Sequence, residues 1–243
     1  MNTALGEPFA IRGDSPGWQA ILDLREPYAA ADALPAGVQV ITMGVDVQKY
    51  SLYMVVRGWG ENVESWLLDH RQIMGETSYD TPWIALAREL DRTWGELPVA
   101  LALIDSGYRP GDKDKRPENM IYDFCRRTPR AFPSKGHDTL DRPFKQSTVD
   151  VRATGKIIRQ GLRLWHVNSD HWKQWLYARM RWPLGESGAW HVPSSIDESY
   201  ARQVTNEELV IMSSGKHQWI RTGSRENHYL DCEVLSSAAA HIL

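Results

Sequence analysis

A nine-residue run near the start of the chain, Val40–Gln48, constrains the fold more than any other stretch. Its apolar and β-branched residues predict a buried strand, yet Asp46 lies close to the end of that strand. Burying a lone carboxylate is costly unless the group is paired, hydrogen-bonded or bound to a metal. Asp46 is therefore either a site residue or the cap of a hairpin turn, and this stretch alone favours neither interpretation.

A second run, Val99–Gly107, repeats the pattern: an apolar strand ends in Asp105 and is followed by Ser106 and Gly107. Between the two runs, the residue patterns predict two strands and one helix, at Leu52–Trp59, Val63–Ile73 and Asp80–Trp94. This order favours an α/β fold, in which central strands deliver functional groups at their carboxyl ends. We therefore expect Asp46 and Asp105 to meet at one edge of a sheet.

A third acid, Asp231, lies beside the apolar stripe of a predicted closing helix over Glu226–Leu243. Three acids next to core-like sequence suggest a shared site for Mg²⁺ or Mn²⁺, since these ions prefer carboxylate oxygens. Two such ions, roughly 4 Å apart, can activate a water and stabilise the leaving oxygen of a phosphodiester. The alternative is that the three acids are separate caps and turns. His228 shares the helix face of Asp231 and is a candidate ligand, base or phosphate contact, or else a solvent-exposed residue at the helix end.

Charge is unevenly distributed along the 243 residues, whose net charge is −3. The segment from Arg109 to Arg163 carries fourteen Lys and Arg against seven Asp and Glu. This excess predicts either a surface that faces a polyanion or a merely solvated charged face. The candidate DNA-binding residues in the segment are Arg109, Lys135, Lys145, Arg152, Lys156 and Arg159.

Several classes of protein are disfavoured by what the chain lacks. The two cysteines, Cys125 and Cys232, have no metal-ligand spacing and indicate no disulfide framework, which fits a reducing cytoplasm. No apolar run approaches the roughly 18 residues of a membrane span, and the start has no secretory signal pattern. Gly155-Lys156 lacks the glycine and the hydroxyl residue of a Walker motif.

Taken together, these motifs resemble a family: the C-terminal nuclease domain of the lambda-type large terminase subunit of tailed bacteriophages. The motifs that carry the resemblance are Gly44–Gln48, Trp66–Asp69, Ile73–Gly75, Ile104–Gly107 and Asn227–Cys232. Residues 2–8 are similar to the segment that leads out of the ATPase domain in full-length members. We therefore expect an N-terminal arm or linker over residues 1–36 and a nuclease domain over residues 37–243, which would cut DNA without pumping it.

The resemblance implies an RNase H-like fold with a central mixed β-sheet flanked by α-helices. It also implies a metal-dependent endonuclease that cuts concatemeric phage DNA, with Asp46, Asp105 and Asp231 as catalytic metal ligands and His228 as an accessory residue. The expected cofactor is a pair of Mg²⁺ or Mn²⁺ ions. Double-stranded phage DNA, the small terminase subunit and the capsid portal are the expected partners, in the cytoplasm of the bacterial host. Two alternatives stay open: a non-catalytic packaging module that docks on the portal, and another RNase H-like nuclease of the resolvase or transposase type.

Overall fold

The structure is a computed structural model that describes residues 11–12, 15–30, 33–107, 120–153, 156–212, 215, 217–222 and 226–243. The helices are α1 (Trp18–Asp23), α2 (Asp80–Asp91), α3 (Met120–Arg127), α4 (Ser169–Met180), α5 (Glu198–Val204) and α6 (His228–Ile242), with a 3₁₀ turn at Glu61–Val63. The strands are β1 (Ile11–Arg12), β2 (Arg25–Glu26), β3 (Val40–Val47), β4 (Ser51–Trp59), β5 (Ser65–Met74), β6 (Thr93–Trp94), β7 (Leu97–Asp105), β8 (Ala131–His137), β9 (Phe144–Ala153), β10 (Lys156–Asn168), β11 (Trp190–Pro193), β12 (Glu207–Ile211) and β13 (His217–Arg221).

Within the described residues, ten strands form one mixed sheet. Nine of them follow the order β2-β11-β5-β4-β3-β7-β8-β10-β9, and β6 pairs with β7 off this path. The hairpin partners β3, β4 and β5 are antiparallel, whereas β7 and β8 run parallel to β3. Three short strands, β1, β12 and β13, form a separate small sheet. The central position of β3, between an antiparallel and a parallel neighbour, explains why nearly all of its side chains are buried.

Helices cover both faces of the large sheet, because the side chains of a strand alternate between its faces. On one face, Met43 and Val45 of β3 belong to a cluster that includes Leu86 of α2 and Phe124 of α3. On the other face, a second cluster joins the sheet to α4, α5 and α6. The expected α/β architecture with a mixed sheet between helices is therefore confirmed.

Individual elements agree with the sequence pattern where that pattern is regular. The helix predicted from Asp80 begins there but ends at Asp91, and Thr93–Trp94 forms a short strand instead of a last helical turn. The polar, poorly periodic segment Asp138–Gly161 predicts a hairpin or a mobile loop. In the structure, β9 and the first half of β10 lie in this segment, and the two strands form a long antiparallel hairpin. The boundary at residue 36 stays a prediction, although α1 packs into the core through the fully buried Ile21 and β2 pairs with β11.

Helix α6 is fixed to the sheet by polar contacts as well as by apolar packing. The Thr42 hydroxyl lies 2.9 Å from the carbonyl oxygen of Ser236. The guanidinium of Arg57 on β4 donates two hydrogen bonds to the carboxylate of Glu233, and both side chains are fully buried. The hydroxyl of Tyr200 also donates to Glu233, so this buried charge pair has further support. These contacts set the position of the helix that carries Asp231.

Candidate active site

Two of the predicted acids lie at neighbouring strand ends. Val45 of β3 pairs with Ile104 of β7 in parallel register, so Asp46 and Asp105 follow at the same level and on the same edge of the sheet. The end of β7 is tied to β8, because the main-chain N–H and the hydroxyl of Ser106 both donate to the carbonyl oxygen of Ser134. The N–H of Gly107 donates to Oδ1 of Asp105 over 3.0 Å and orients that carboxylate.

The third acid reaches this edge because α6 approaches β3 very closely. A Cβ built on Gly44 would lie 1.9 Å from the carbonyl oxygen of Cys232, the residue after Asp231. Gly44 and Asp46 are two residues apart on a strand, so they face the same side of the sheet. The thiol of Cys232 also contacts the carbonyl oxygen of Tyr53, which pairs with Asp46. Glycine at position 44 therefore permits the contact that brings Asp231 to Asp46.

Asp46 is 4% exposed, and protein donors hold its carboxylate. Oδ2 of Asp46 accepts a hydrogen bond from Nε2 of Gln48 at 2.9 Å and lies 2.7 Å from Nδ1 of His228. The His228 ring stacks on Tyr53, with 4.3 Å between the ring centroids, and its Nε2 lies 4.0 Å from Glu226. His228 is thus joined directly to Asp46 and is held in its orientation by stacking.

Burial and mutual repulsion change the proton affinity of the other two acids. Burial raises the pKa of Asp105 to about 6, and the neighbouring Asp46 carboxylate adds to the rise, while Lys135 opposes it. Burial also raises the pKa of Asp231; Lys173 opposes this rise, and Asp46, Glu207 and Asp105 add to it. The carboxylates therefore act on one another, which places them in one electrostatic site.

The donor set suits a hard cation in its chemistry. Carboxylate oxygens from three residues, Asp46, Asp105 and Asp231, are available to such an ion. Within the described part of the chain, however, no group of three or more His, Cys, Asp and Glu side chains is arranged to hold one metal ion. Hydrogen bonds hold Asp46 and Asp231 to His228, Gln48 and Asn227. The residues fit Mg²⁺ or Mn²⁺ by the type of their donor atoms.

A stability measurement tests this electrostatic arrangement. A carboxyl whose pKa is about 6 in the folded protein and near 4 in the unfolded chain favours folding below about pH 4, and this contribution is lost as pH rises to 6. At pH 7.5 the charged Asp105 therefore costs on the order of 2 kcal/mol. We expect Asp105→Asn to raise the melting temperature of the protein in EDTA by about 4–8 °C at pH 7.5. The difference between the variant and the wild type should shrink at pH 4.5.

The matched control is Asp141→Asn, which removes a carboxylate that is 65% exposed and paired with Arg142. Differential scanning calorimetry should show no comparable rise for this variant. An Asp105→Asn protein that melts at or below the wild-type temperature at pH 7.5 would contradict the unfavourable burial of the charged Asp105 and its repulsion by Asp46.

The whole chain matches one protein family. Residues 1–243 match the family described as "Terminase large subunit gpA, endonuclease domain". The chain belongs to this family. It is also 27% identical over 260 residues to the large terminase subunit of Escherichia phage lambda, an alignment that covers 100% of this chain and 38% of the lambda protein. The domain therefore spans well under half the length of this curated relative.

Solved structures support the fold of this terminase nuclease domain. The nuclease of the large terminase from thermophilic phage G20c, determined with bound magnesium, matches with a TM-score of 0.52 and 12% identity, over 91% of this chain and 96% of that one. The nuclease domain of the large terminase subunit of bacterial virus Sf6, determined with manganese, matches with a TM-score of 0.52 and 10% identity, over 91% and 99% of the two chains. The terminase domain thus has the expected RNase H-like fold. None of the helices in the described residues is long and apolar enough to span a membrane.

The basic residues predicted to bind DNA lie at different places on the terminase domain. Lys135 lies next to Asp105, whose pKa it lowers, and both Lys135 and Lys145 pair with His166 near the edge that carries the acids. Lys156 and Arg159 lie exposed at the far end of the hairpin, about 20–30 Å further along if each residue spans about 3.3 Å. The backbone of Arg152 lies in β9, whereas Arg109 lies outside the described residues. The structure thus brings only Lys135 and Lys145 of the described set to the site edge.

Sequence reasoning missed several residues that contact the acids. Gln48 is next but one to Asp46, and Asn227 precedes the helix of Asp231, so proximity to a candidate acid was a usable signal for both. Tyr53 pairs with Asp46 across the β3–β4 hairpin and would follow from the strand register. Lys173 and Glu207 carry no local signal, because α4 and β12 meet the site only in the folded chain.

Proposed function

We propose that this terminase domain hydrolyses phosphodiester bonds of double-stranded phage DNA with Mg²⁺ or Mn²⁺ held by Asp46, Asp105 and Asp231. The observation that carries the proposal is the convergence of three acids at one sheet edge, where burial, with added repulsion from the neighbouring acids, raises the pKa of Asp105 and Asp231. A bound pair of divalent ions supplies charge neutralisation, activation of a water and stabilisation of the leaving oxygen. The solved terminase nucleases that were determined with magnesium or manganese support the choice of ion.

The protein's own residues prepare this edge for an anionic substrate. Asp46 and Asp105 are held at their strand ends by the sheet, and Asp231 is held by the packing of α6 on Gly44. Asp46 also holds His228 through Nδ1 of the imidazole, and the ring of Tyr53 stacks on the His228 ring. His228 is therefore held where it can contact a phosphate oxygen of the substrate. Preorganised groups need little rearrangement when the substrate binds.

Lys135 and Lys145 provide positive charge where the DNA backbone would approach the acids. Lys135 on β8 is half-buried beside Asp105, and Lys145 is exposed on β9, with β10 between these two strands. Contacts from lysine to phosphate are independent of base sequence and weaken with salt. We infer that these two lysines hold the strand that is cut, while the basic residues at the hairpin end lie too far along β9 and β10 to touch the same phosphate.

Within this proposal, the domain cuts concatemeric DNA during genome packaging, together with a small terminase subunit and a portal. Membership of the gpA endonuclease family supports this role.

The proposed activity is tested by the conversion of supercoiled plasmid to nicked and linear DNA. The assay contains about 5 mM Mn²⁺ or Mg²⁺, a concentration above a metal dissociation constant of about 1 mM. We expect cutting with either ion and none in EDTA. Calorimetric titration with Mn²⁺ should give heat with the wild type and none with the Asp105→Asn, Asp231→Asn double variant.

A wild-type protein that neither cuts plasmid nor takes up Mn²⁺ would contradict the proposal and would favour a docking module without catalytic activity. Substrate choice separates the remaining enzymatic alternative. A strong preference for four-way junctions over linear duplex would favour resolvase-like chemistry instead of cutting of packaged DNA.

A further inference from the structure

Asn227, at the start of α6, holds Asp231 through its side-chain amide. Nδ2 donates one hydrogen bond to Oδ2 of Asp231 at 3.1 Å and another to Oε1 of Glu207 at 2.6 Å. An amide nitrogen has two hydrogens, so these two carboxylates use its whole donor capacity. Asn227 is 2% exposed, and the two contacts determine which way its amide is turned.

Glu207 is itself held, by a lysine from a different helix. Nζ of Lys173 on α4 lies 2.5 Å from Oε2 of Glu207, and both side chains are almost entirely buried. With Lys173 on one oxygen and Asn227 on the other, both carboxylate oxygens of Glu207 are engaged by protein donors. Glu207 therefore orients its neighbours instead of presenting a free oxygen to a cation.

These contacts form one continuous chain from an ammonium to the third acid: Lys173, Glu207, Asn227 and Asp231. The links join α4, the first residue of β12, and the turn into α6. Removing Asn227 would free the Asp231 carboxylate to rotate and would leave the buried Glu207 with one oxygen unpaired. Partners that orient metal ligands in this way commonly change metal affinity about 10–100-fold when they are mutated.

We propose that Lys173, Glu207 and Asn227 are positioning residues that hold Asp231 in the orientation that binds the divalent ion. This inference rests on the proposed function, since it assigns the three residues to the same metal site. They act through Asp231 and need no contact with DNA.

The test is the Mn²⁺ affinity of the full chain carrying Asn227→Ala, measured by calorimetric titration without DNA. We expect the dissociation constant to rise at least about tenfold. In plasmid cutting, the Mn²⁺ concentration that gives half-maximal rate should rise by a similar factor, while saturating Mn²⁺ restores most of the rate. A purely structural role would lower the rate without moving the half-maximal Mn²⁺ concentration.

Tyr177→Phe is the matched control. The Tyr177 hydroxyl donates to the main-chain carbonyl oxygen of Glu207 at 3.0 Å, so its loss disturbs the same buried region without touching the Glu207 carboxylate. The control should keep the Mn²⁺ dissociation constant within twofold of the wild type. Glu207→Gln, which keeps an acceptor for Asn227 but loses the charge pair with Lys173, should weaken Mn²⁺ binding less than Asn227→Ala does.

Wild-type affinity for Mn²⁺ in Asn227→Ala would overturn the positioning role and leave the proposed function standing. Equal weakening in Asn227→Ala and Tyr177→Phe would also overturn it, because general loosening would then explain the effect. If Asn227→Ala melts before it can be titrated, Glu207→Gln decides, and unchanged affinity in that variant overturns the role. A wild-type protein that takes up no Mn²⁺ overturns the proposed function, and the inference with it.

Discussion

Replacing Asp46 with asparagine is expected to reduce Mn²⁺-dependent plasmid cutting by at least about 1,000-fold, several kcal/mol of transition-state stabilisation. The charge of Asp46 acts on both Asp105 and Asp231. Asparagine keeps the shape of the side chain and can still accept a hydrogen bond from Gln48. The expected loss is therefore one of charge at the metal site and not of folding.

Three measurements separate these outcomes for Asp46→Asn. Near-ultraviolet circular dichroism should match the wild type, and the melting temperature should be no lower than that of the wild type, because the lost charge repels Asp105 and Asp231. Plasmid cutting should fall to the level of the EDTA control. Asp91→Asn serves as the matched variant: Asp91 is paired with Arg130, which also contacts the carbonyl oxygen of Val99 near the opposite edge of the sheet. That control should cut at the wild-type rate. Undiminished cutting by Asp46→Asn would refute the three-acid site.

Replacing Gly44 with alanine is expected to damage both stability and cutting, although it adds a single methyl group. The new Cβ would meet the carbonyl oxygen of Cys232 at 1.9 Å and the main-chain N of Ser236 at 2.8 Å. Both are backbone atoms, so no side-chain rotation relieves the clash and α6 has to move away from β3. We expect the free energy of unfolding to fall by at least about 3 kcal/mol, the upper end of the usual cost of overpacking a core.

The same displacement would separate Asp231 from Asp46. A shift of about 1 Å in a catalytic constellation can cost about 100-fold in rate, so cutting should fall by at least that factor at a temperature where the variant is still folded. Urea unfolding and plasmid assays measure the two effects. Gly185→Ala is the control, because a Cβ there meets no atom within 4 Å. A Gly44→Ala protein with wild-type stability and activity would show that α6 does not need this close approach.

Much of the fold is visible in the sequence wherever burial imposes a regular pattern. The strands β3, β4 and β7 are apolar almost throughout because the sheet buries them on both faces, and their bounds agree with the prediction to within about two residues. The N-cap of α4 follows the expected chemistry: Oδ1 of Asn168 accepts from the N–H of His171. Periodicity and capping are local properties, so a single sequence reveals them.

Elements without such periodicity were harder to predict. The hairpin of β9 and β10 is rich in exposed polar and basic residues, and its apolar contacts come from a few positions such as Val151 and Leu162. Strand β12 was missed altogether, because its five residues depend on pairing with β1 and β13. Pairing with distant strands, and not local preference, makes these segments extended.

Residue by residue, the sequence alone was sufficient to identify Asp46, Asp105 and Asp231 as candidate acids, since each lies beside core-forming residues where an unpaired carboxylate is costly. Only the tertiary structure decided what surrounds them. Lys173, Glu207 and Asn227 come together from separate parts of the chain. The need for glycine at position 44 is visible only in the structure, where the backbone of α6 packs directly on it. The physical reason is that a buried strand or helix has a local pattern of apolar residues, whereas hydrogen bonds between distant segments depend on how the whole chain packs.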